Sequence, residues 1–187
     1  MKFLKLFTSA FLFITLFSVF AATAYSSDFS VFIGIELPGS VEHNDEKISL
    51  DNGPVYGFRF GNDLLRNLGL EHMLAFSPDF LYPDRADYEY VETKGFLYGS
   101  NLVLNFQDLD SRFVPFLTAG IGLIHQYGDR DLPVGTKFAF NYGGGVKFPN
   151  LAGPLGARID LRGYRAGMSK SINMAELSFG LMLSFGR

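Results

Sequence analysis

The sequence predicts an all-β protein, folded as an eight-stranded antiparallel up-and-down transmembrane β-barrel. Apolar residues recur at every second position in eight segments, each of about the 9–11 residues that a tilted membrane strand needs. The 21 glycines disfavour a helical bundle, because glycine costs about 1 kcal/mol inside a helix relative to alanine, and the 21 phenylalanines favour strands. An apolar segment with the features of an export signal precedes the first alternating segment.

The first 24 residues have the three zones of a secretory signal peptide. Lys2 and Lys5 give a positive start, residues 6–20 are almost wholly apolar, and Ala22-Thr23-Ala24 supplies the small-residue cleavage pattern. A membrane-anchor helix is the alternative for a segment of this length. Removing residues 1–24 leaves 187 − 24 = 163 residues, so 25–187 form one mature β-barrel domain.

The mature chain is acidic and lacks cysteine. The full sequence carries 16 basic and 19 acidic side chains, a net charge of −3, and removal of Lys2 and Lys5 makes the charge −5. An acidic balance gives no reason to expect nucleic acid as a partner. Without cysteine there is no disulfide framework, no thiol chemistry and no cysteine-based metal site.

The first four predicted strands lie between residues 29 and 106. Each has one face that is mostly apolar, with His72 among the exceptions, and the residues in between are mostly small or polar. The apolar faces consist of Phe29, Val31, Ile33, Ile35 and Leu37; Tyr56, Phe58 and Phe60; Leu70, His72, Leu74 and Phe76; and Phe96, Tyr98, Leu102, Leu104 and Phe106. This period of two indicates strands with one face in an apolar environment.

The last four predicted strands repeat the plan between residues 116 and 185. Their apolar faces consist of Leu117, Ala119, Ile121 and Leu123; Phe138, Phe140, Tyr142, Val146 and Phe148; Ala157, Ile159 and Leu161; and Leu177, Phe179, Leu181, Leu183 and Phe185. No linker or change of composition suggests a second domain.

The connections between the strands alternate between long and short. Four long polar loops are predicted at 38–52, 77–93, 125–135 and 165–173, and three short turns at 62–67, 107–112 and 149–154. Membrane barrels have short periplasmic turns and longer outer loops. The pattern therefore predicts that the four loops lie outside the cell and that both mature termini lie in the periplasm.

The second face of the strands decides between a membrane barrel and a soluble, lipocalin-like barrel. Along with Gly, Ser and Asn it carries seven charged residues: Glu36, Arg59, Glu71, Lys147, Arg158, Asp160 and Arg162. A dry core cannot hold so many charges, and a narrow barrel lumen holds them only if they pair. We therefore expect lipid on the apolar face and an ion-pair network of these seven residues that plugs the lumen.

The turns suggest which lumen residues face each other across neighbouring strands. Folding the hairpin about residues 62–68 places Arg59 opposite Glu71 and Gly61 opposite Gly69. Folding the hairpin about residues 148–155 sets glycine or asparagine opposite three long or charged side chains. These expected pairs are Gly145 with Arg158, Gly143 with Asp160, and Asn141 with Arg162. Small residues opposite large ones are what a narrow barrel needs.

Three segments resemble strands of the small outer-membrane β-barrel proteins of the OmpA/OmpX-like group. Residues 113–123 are similar to the fifth strand of that group, and residues 138–148 and 156–162 to its sixth and seventh strands, with a Gly-x-Gly strand before an Arg-x-Asp-x-Arg strand. The resemblance implies a monomer in the lipid and lipopolysaccharide of the bacterial outer membrane, inserted by the outer-membrane assembly machinery. Members of the group often end in an aromatic residue, whereas here Phe185 is followed by Gly186 and Arg187.

The sequence contains no recognisable catalytic or metal-binding pattern. None of His43, His72 and His125 occurs in the His-x-Ser arrangement of the lipid A deacylases that share this barrel class. The acidic residues of loops 38–52 and 77–93 lack the spacing of a calcium loop, which favours solvated charge. We therefore expect no catalytic site, no metal and no cofactor. The leading function is a structural or surface-interaction role through the outer loops, and the alternatives are a narrow channel for water or small ions and a lipid A-modifying enzyme.

Overall fold

A computed structural model describes residues 26–38, 40–43, 46–49, 52–78, 93–106, 111–128, 135–167 and 172–185. Eight strands close a barrel in which every neighbouring pair is antiparallel, in the order β1-β10-β9-β8-β7-β6-β5-β4. The strands are β1 Ser26–Pro38, β2 Ser40–His43, β3 Glu46–Ser49, β4 Gly53–Asp63, β5 Leu68–Ser77, β6 Thr93–Asn105, β7 Val114–Gly128, β8 Thr136–Ala152, β9 Leu155–Ala166 and β10 Ile172–Phe185. The predicted fold class is confirmed.

The predicted loop 38–52 is not wholly irregular. The short strands β2 and β3 pair as a separate hairpin, with Val41 in register with Ile48. Two β-branched residues at paired positions favour strand structure. The predicted signal peptide and most residues of the other three predicted long loops lie outside the described ranges. Within those ranges, no helix is long and apolar enough to cross a membrane.

The strands are strongly staggered around the barrel. A path of directly paired residues starts at Asp28 on β1 and returns to β1 at Pro38, which is 38 − 28 = 10 residues further along. The path runs through Asp28, Gly61, Glu71, Asn101, Gly120, Asn141, Tyr164, Met174 and Pro38. Such a stagger accompanies strands tilted by about 35–45° from the barrel axis, and an eight-stranded barrel has an interior just wide enough for side chains to fill.

The two faces of the wall have opposite character. The outer face exposes large apolar side chains, such as Ile33 at 65 %, Leu117 at 54 % and Phe179 at 50 % exposure, whereas the residues between them are mostly buried in the lumen. A soluble barrel hides its apolar face from water, so this outer face excludes the soluble alternative. We call the end at which β1, β5, β7 and β9 finish the loop end. The opposite end, with the turns near residues 64–67 and 153–154, is the turn end.

The predicted register of the first hairpin is wrong by two residues. Asp63 continues β4 and pairs with Gly69, so Gly61 lies opposite Glu71 and Arg59 lies opposite Met73. A shift of two residues leaves every side chain on its predicted face, because side chains alternate with a period of two. The alternation therefore carries no information about this error.

The predicted register of the hairpin between β8 and β9 is wrong by the same amount. Gly145 pairs with Asp160, Gly143 with Arg162, and Asn141 with Tyr164. The tight turn follows Ala152, which pairs with Leu155, and an irregularity between Phe148 and Ala152 puts two extra residues into β8. Asn150 adopts a positive φ of 56° there, a conformation that asparagine tolerates better than most residues.

Candidate functional site

The lumen holds three layers of buried side chains. The layer nearest the loop end is apolar and contains Phe32, Val55, Met73, Ala75, Leu97, Ile124, Ala139, Tyr164, Ala166 and Met174. The middle layer is a cluster of charged groups: Arg59, Glu71, Arg158, Asp160, Arg162 and Glu176. An ion pair between Lys147 and Asp28 lies towards the turn end.

The middle layer is built around Asp160, which lies between two arginines of its own strand. Alternation puts Arg158, Asp160 and Arg162 on one face of β9. Both Nε and Nη2 of Arg158 donate to the two oxygens of Asp160 at 2.8 Å, and Nη2 of Arg162 donates to Oδ1 at 2.8 Å. Two parallel N–H···O bonds of this kind give strength and fixed geometry.

Glu71 connects β5 to the opposite wall of the barrel. Its Oε1 accepts a hydrogen bond from Nη2 of Arg162 at 2.7 Å, and its Oε2 lies 2.8 Å from Nη1 of Arg158. The second contact is an ion pair without hydrogen-bond alignment, because neither atom has a hydrogen-bond partner. Glu71 on β5 and Asp160 on β9 therefore bind the same two arginines, Arg158 and Arg162.

Arg59 connects the cluster to Glu176 on β10. Its Nη2 donates to Glu176 Oε1 at 2.6 Å, while Nη1 lies 3.4 Å from Asp160. The guanidinium carbon also lies 3.6 Å from the centre of the Phe32 ring, so a cation–π contact joins the charged layer to the apolar layer. The hydroxyls of Tyr164 and Ser178 each donate to Glu176 at 2.6 Å.

The charges of the middle layer balance. Three guanidinium groups face three carboxylates, and none of the six side chains is more than 2 % exposed. Burial of unpaired charge is costly, whereas a complete set of partners offsets the loss of hydration. A glycine on β8 leaves space for one arginine of this cluster. A Cβ at Gly143 would overlap the Leu161 carbonyl oxygen and would lie 3.2 Å from Cγ of Arg162.

Two of the seven predicted lumen charges lie apart from the central cluster. Nζ of Lys147 donates to Asp28 at 2.9 Å, near the turn end. Glu36 is 3 % exposed and lies directly opposite Glu176, but it has no ion pair with a cation in the described part of the chain, and its Oε1 has no hydrogen-bond partner. It faces the lumen from β1, and among the described residues it lies outside the ion-pair network.

Two acidic partners, Glu176 and Asp28, lie one residue outside the predicted strands. Those strands begin at their first apolar residues, Leu177 and Phe29. Extending the period of two by one residue puts both carboxylates on the lumen face, where Ser178 and Ser30 already lie. The signal was therefore present at the strand ends.

His72 and His125, the two histidines whose side chains the structure describes, both lie on the outer face of the barrel. His72 is half-buried on the outer face of β5, and its Nδ1 lies 3.2 Å from the Tyr98 hydroxyl. This pairing gives both polar groups a partner on an apolar surface. Within the part of the chain that the structure describes, no group of three His, Cys, Asp or Glu side chains could hold a metal ion.

A closed eight-stranded barrel with an apolar outer face and a paired, charged interior defines an outer-membrane β-barrel protein. The sequence matches the family model described as "Outer membrane protein beta-barrel domain" over residues 9–185. The chain belongs to this family, which places it in the bacterial outer membrane. No curated protein sequence matches the chain significantly.

Solved structures of small outer-membrane barrels have the same fold. Neisserial surface protein A is 15 % identical with a TM-score of 0.63, and the match covers 87 % of this chain and 98 % of that chain. OprG from Pseudomonas aeruginosa is 10 % identical with a TM-score of 0.63, covering 88 % and 98 %. The N-terminal β-barrel domain of Pseudomonas aeruginosa OprF is 17 % identical with a TM-score of 0.57, covering 87 % and 98 %. These likenesses show the fold alone.

Proposed function

We propose that this outer-membrane protein is a closed barrel that acts through the loops at its loop end, in surface interaction or envelope structure. In this proposal the signal peptide 1–24 is cleaved and the loop end faces the cell exterior. The protein is a monomer, has no catalytic site and needs no cofactor.

The observation that carries the proposal is the burial of the middle layer. A lumen that conducted water or ions would leave its charged walls accessible from one mouth or the other. Here Arg59, Arg158 and Asp160 are 0 % exposed, and their partners bridge β4, β5, β9 and β10 across the interior. The barrel then serves as a rigid holder for the loops, where binding residues are usually found.

The closed lumen can be tested by conductance in planar bilayers. We expect no steady single-channel steps from the wild-type protein. The double variant Arg59→Ala and Arg162→Ala should conduct if it stays folded, because it removes two of the three guanidiniums that fill the cross-section. The double variant Leu117→Ala and Leu161→Ala is a matched control on the outer wall and should remain silent. A steady conductance in the wild type would favour the channel alternative.

The orientation can be tested by protease treatment of intact cells. We expect cleavage within 38–52 or 77–93, the two longest polar connections. Cleavage confined to 62–67 or 149–154 would invert the proposed topology. Assembly in the outer membrane should be checked in the same cells by heat-modifiable migration, so that a misassembled fraction is not counted.

The role of the loops can be tested by replacing residues 40–49 and 79–92 with short Gly-Ser linkers. We expect nearly unchanged assembly and heat stability, together with loss of any surface phenotype in a knockout strain. Full complementation by the trimmed protein would place the working part in the wall or the lumen. Assay of lipid A acyl chains with the purified wild type would reveal the enzymatic alternative.

A further inference from the structure

The outer wall has a broad groove between β6 and β10. Its floor has small outward-facing residues on four neighbouring strands, Ala119, Gly144, Gly163 and Ala175, and it is bordered by leucines and by Tyr142, whose ring lies over Gly163. The groove encloses about 1040 Å³. Neighbouring strands lie about 4.8 Å apart, so four strand intervals make the groove about 19 Å wide. It is wide enough for several acyl chains side by side.

A second groove on the other side of the barrel is much smaller. It spans β1, β4, β5 and β6 and encloses about 370 Å³. Aromatic side chains fill this part of the wall. The rings of Tyr56 and Phe76, for example, meet edge to face at 5.3 Å. The larger groove therefore has small residues on four neighbouring strands and one aromatic lining residue, Tyr142, whereas several aromatic side chains line the smaller groove.

Polar donors lie at the loop end of the larger groove. Arg165 follows Gly163 by two residues on β9, which puts it about 6.6 Å further towards the loop end on the same outer face. Asn173 on β10 is its direct cross-strand neighbour, and both side chains are exposed. In the part of the chain that the structure describes, Arg165 has no ion pair or hydrogen bond through its guanidinium.

An exposed guanidinium at the edge of an apolar membrane surface, with no partner among the described residues, favours an anion as ligand. Arginine binds phosphate with two parallel N–H···O bonds, and an amide donor beside it adds a third. Directly below lies an apolar channel several chains wide. The anion and the acyl chains then belong to one molecule, a lipid that carries phosphate and more than two chains.

We propose that this groove binds lipid A, with a phosphate on Arg165 and Asn173 and acyl chains along Ala119, Gly144 and Ala175, beside the Tyr142 ring that covers Gly163. The assignment rests on the proposed orientation, in which the loop end lies in the outer leaflet. The protein would then hold a specific lipid on one side of its wall, at β7 to β10, while the aromatic side contacts bulk lipid.

Native mass spectrometry of the purified full-length mature protein, titrated with bis-phosphorylated lipid A, tests this site. We expect Arg165→Gln to weaken binding about tenfold, the size of one charge-assisted contact. Arg165→Lys keeps the charge but loses the planar fork, so a smaller loss is expected. Ala119→Phe and Ala175→Phe fill the groove floor and should also weaken binding about tenfold. Dephosphorylated lipid A should bind the wild type and Arg165→Gln equally weakly.

Lys94→Gln is the matched control. Lys94 occupies an outward position at the loop end of β6, two residues from Phe96 in the smaller groove. The substitution removes the same charge at the same end of the barrel and should change lipid A binding less than twofold. An equal loss in Lys94→Gln and Arg165→Gln would show attraction to surface charge in general and would overturn the site.

Other outcomes would also overturn the site. Phosphatidylglycerol binding as tightly as lipid A would show a general anionic-lipid surface, and unchanged binding in Ala119→Phe would exclude the groove. A dimer that competes with lipid A would assign the groove to a second copy of the chain. The orientation fails separately: protease cleavage at the turn end would invert the topology even if purified protein binds lipid A. All variants should first show the folded, heat-modifiable band.

Discussion

The apolar layer and the charged layer of the lumen are made by the same strands but hold together in different ways. The apolar layer depends on shape, since residues such as Leu97 and Ile124 fill the space beneath the loops. The charged layer depends on direction, since each arginine must point its N–H groups at a particular oxygen. The first kind of packing tolerates replacement by a side chain of similar volume, whereas the second tolerates no lost partner.

The largest effect is expected from loss of Glu71, which leaves Arg158 and Arg162 buried with only Asp160 between them. Glu71→Ala should lower the free energy of unfolding by about 3–5 kcal/mol, the usual cost of removing one partner of a desolvated ion pair. Urea unfolding of protein folded into lipid vesicles measures the change. Glu71→Gln is the control, because it keeps the shape and a hydrogen-bond acceptor, and it should lose less. Equal stability of Glu71→Ala and wild type would show that the charged layer does not hold the strands.

A smaller effect is expected in the apolar layer. Leu97 is 1 % exposed, and Leu97→Ala should cost about 2–3 kcal/mol through the lost burial and the cavity that remains. Leu97→Met conserves the volume and should cost less than about 1.5 kcal/mol. The same unfolding measurement compares both variants with Glu71→Gln, which conserves volume in the charged layer. If the conservative change costs more at Leu97 than at Glu71, the distinction between the two layers fails.

The two layers also differ in how far the sequence predicts them. The period of two put Arg59, Glu71 and Arg158 on the lumen face, because alternation is a local property of a strand. The ion-pair partners depend on the register between strands, which the turns set. Asp63 in one hairpin and the irregularity near Asn150 in the other shift the register by two residues, and neither shift changes the face on which a side chain lies. The apolar layer was not predicted at all. The lumen face was expected to be polar, so apolar residues on that face, such as Phe32, appeared as exceptions.

Glu36 shows the limit of that prediction. The alternation predicts that the Glu36 side chain faces the lumen. Its neighbour across the strands depends on the register with β10, and this register puts Glu176, not an arginine, opposite Glu36. Arg59 and Tyr164 already occupy Glu176. Composition alone shows that charges must pair, but the three-dimensional register decides which carboxyl group has no cation beside it among the described residues.

A third effect is expected at the pair between Lys147 and Asp28, which lies near the turn end and is slightly exposed, at 4 % and 11 % of the two side chains. Asp28→Asn should cost about 1–2 kcal/mol, because Lys147 keeps an oxygen acceptor and some access to water. A double-mutant cycle with Lys147→Met gives the coupling energy. Raising the salt concentration should weaken this coupling more than that between Glu71 and Arg162, which are more deeply buried.

The smallest effect, and the only one of opposite sign, is expected at Glu36. Its carboxyl group has no cationic partner in the described ranges and lies opposite a second carboxyl group. Glu36→Gln removes one of two carboxyl groups that face each other and loses no ion pair within the described ranges, so the free energy of unfolding should stay unchanged or rise by up to about 1 kcal/mol. Glu71→Gln makes the same chemical change one layer deeper and should destabilise, so the two variants form a matched pair. Urea unfolding at neutral pH measures both variants. If Glu36→Gln loses as much stability as Glu71→Gln, then Glu36 belongs to the charged network through a partner outside the described residues.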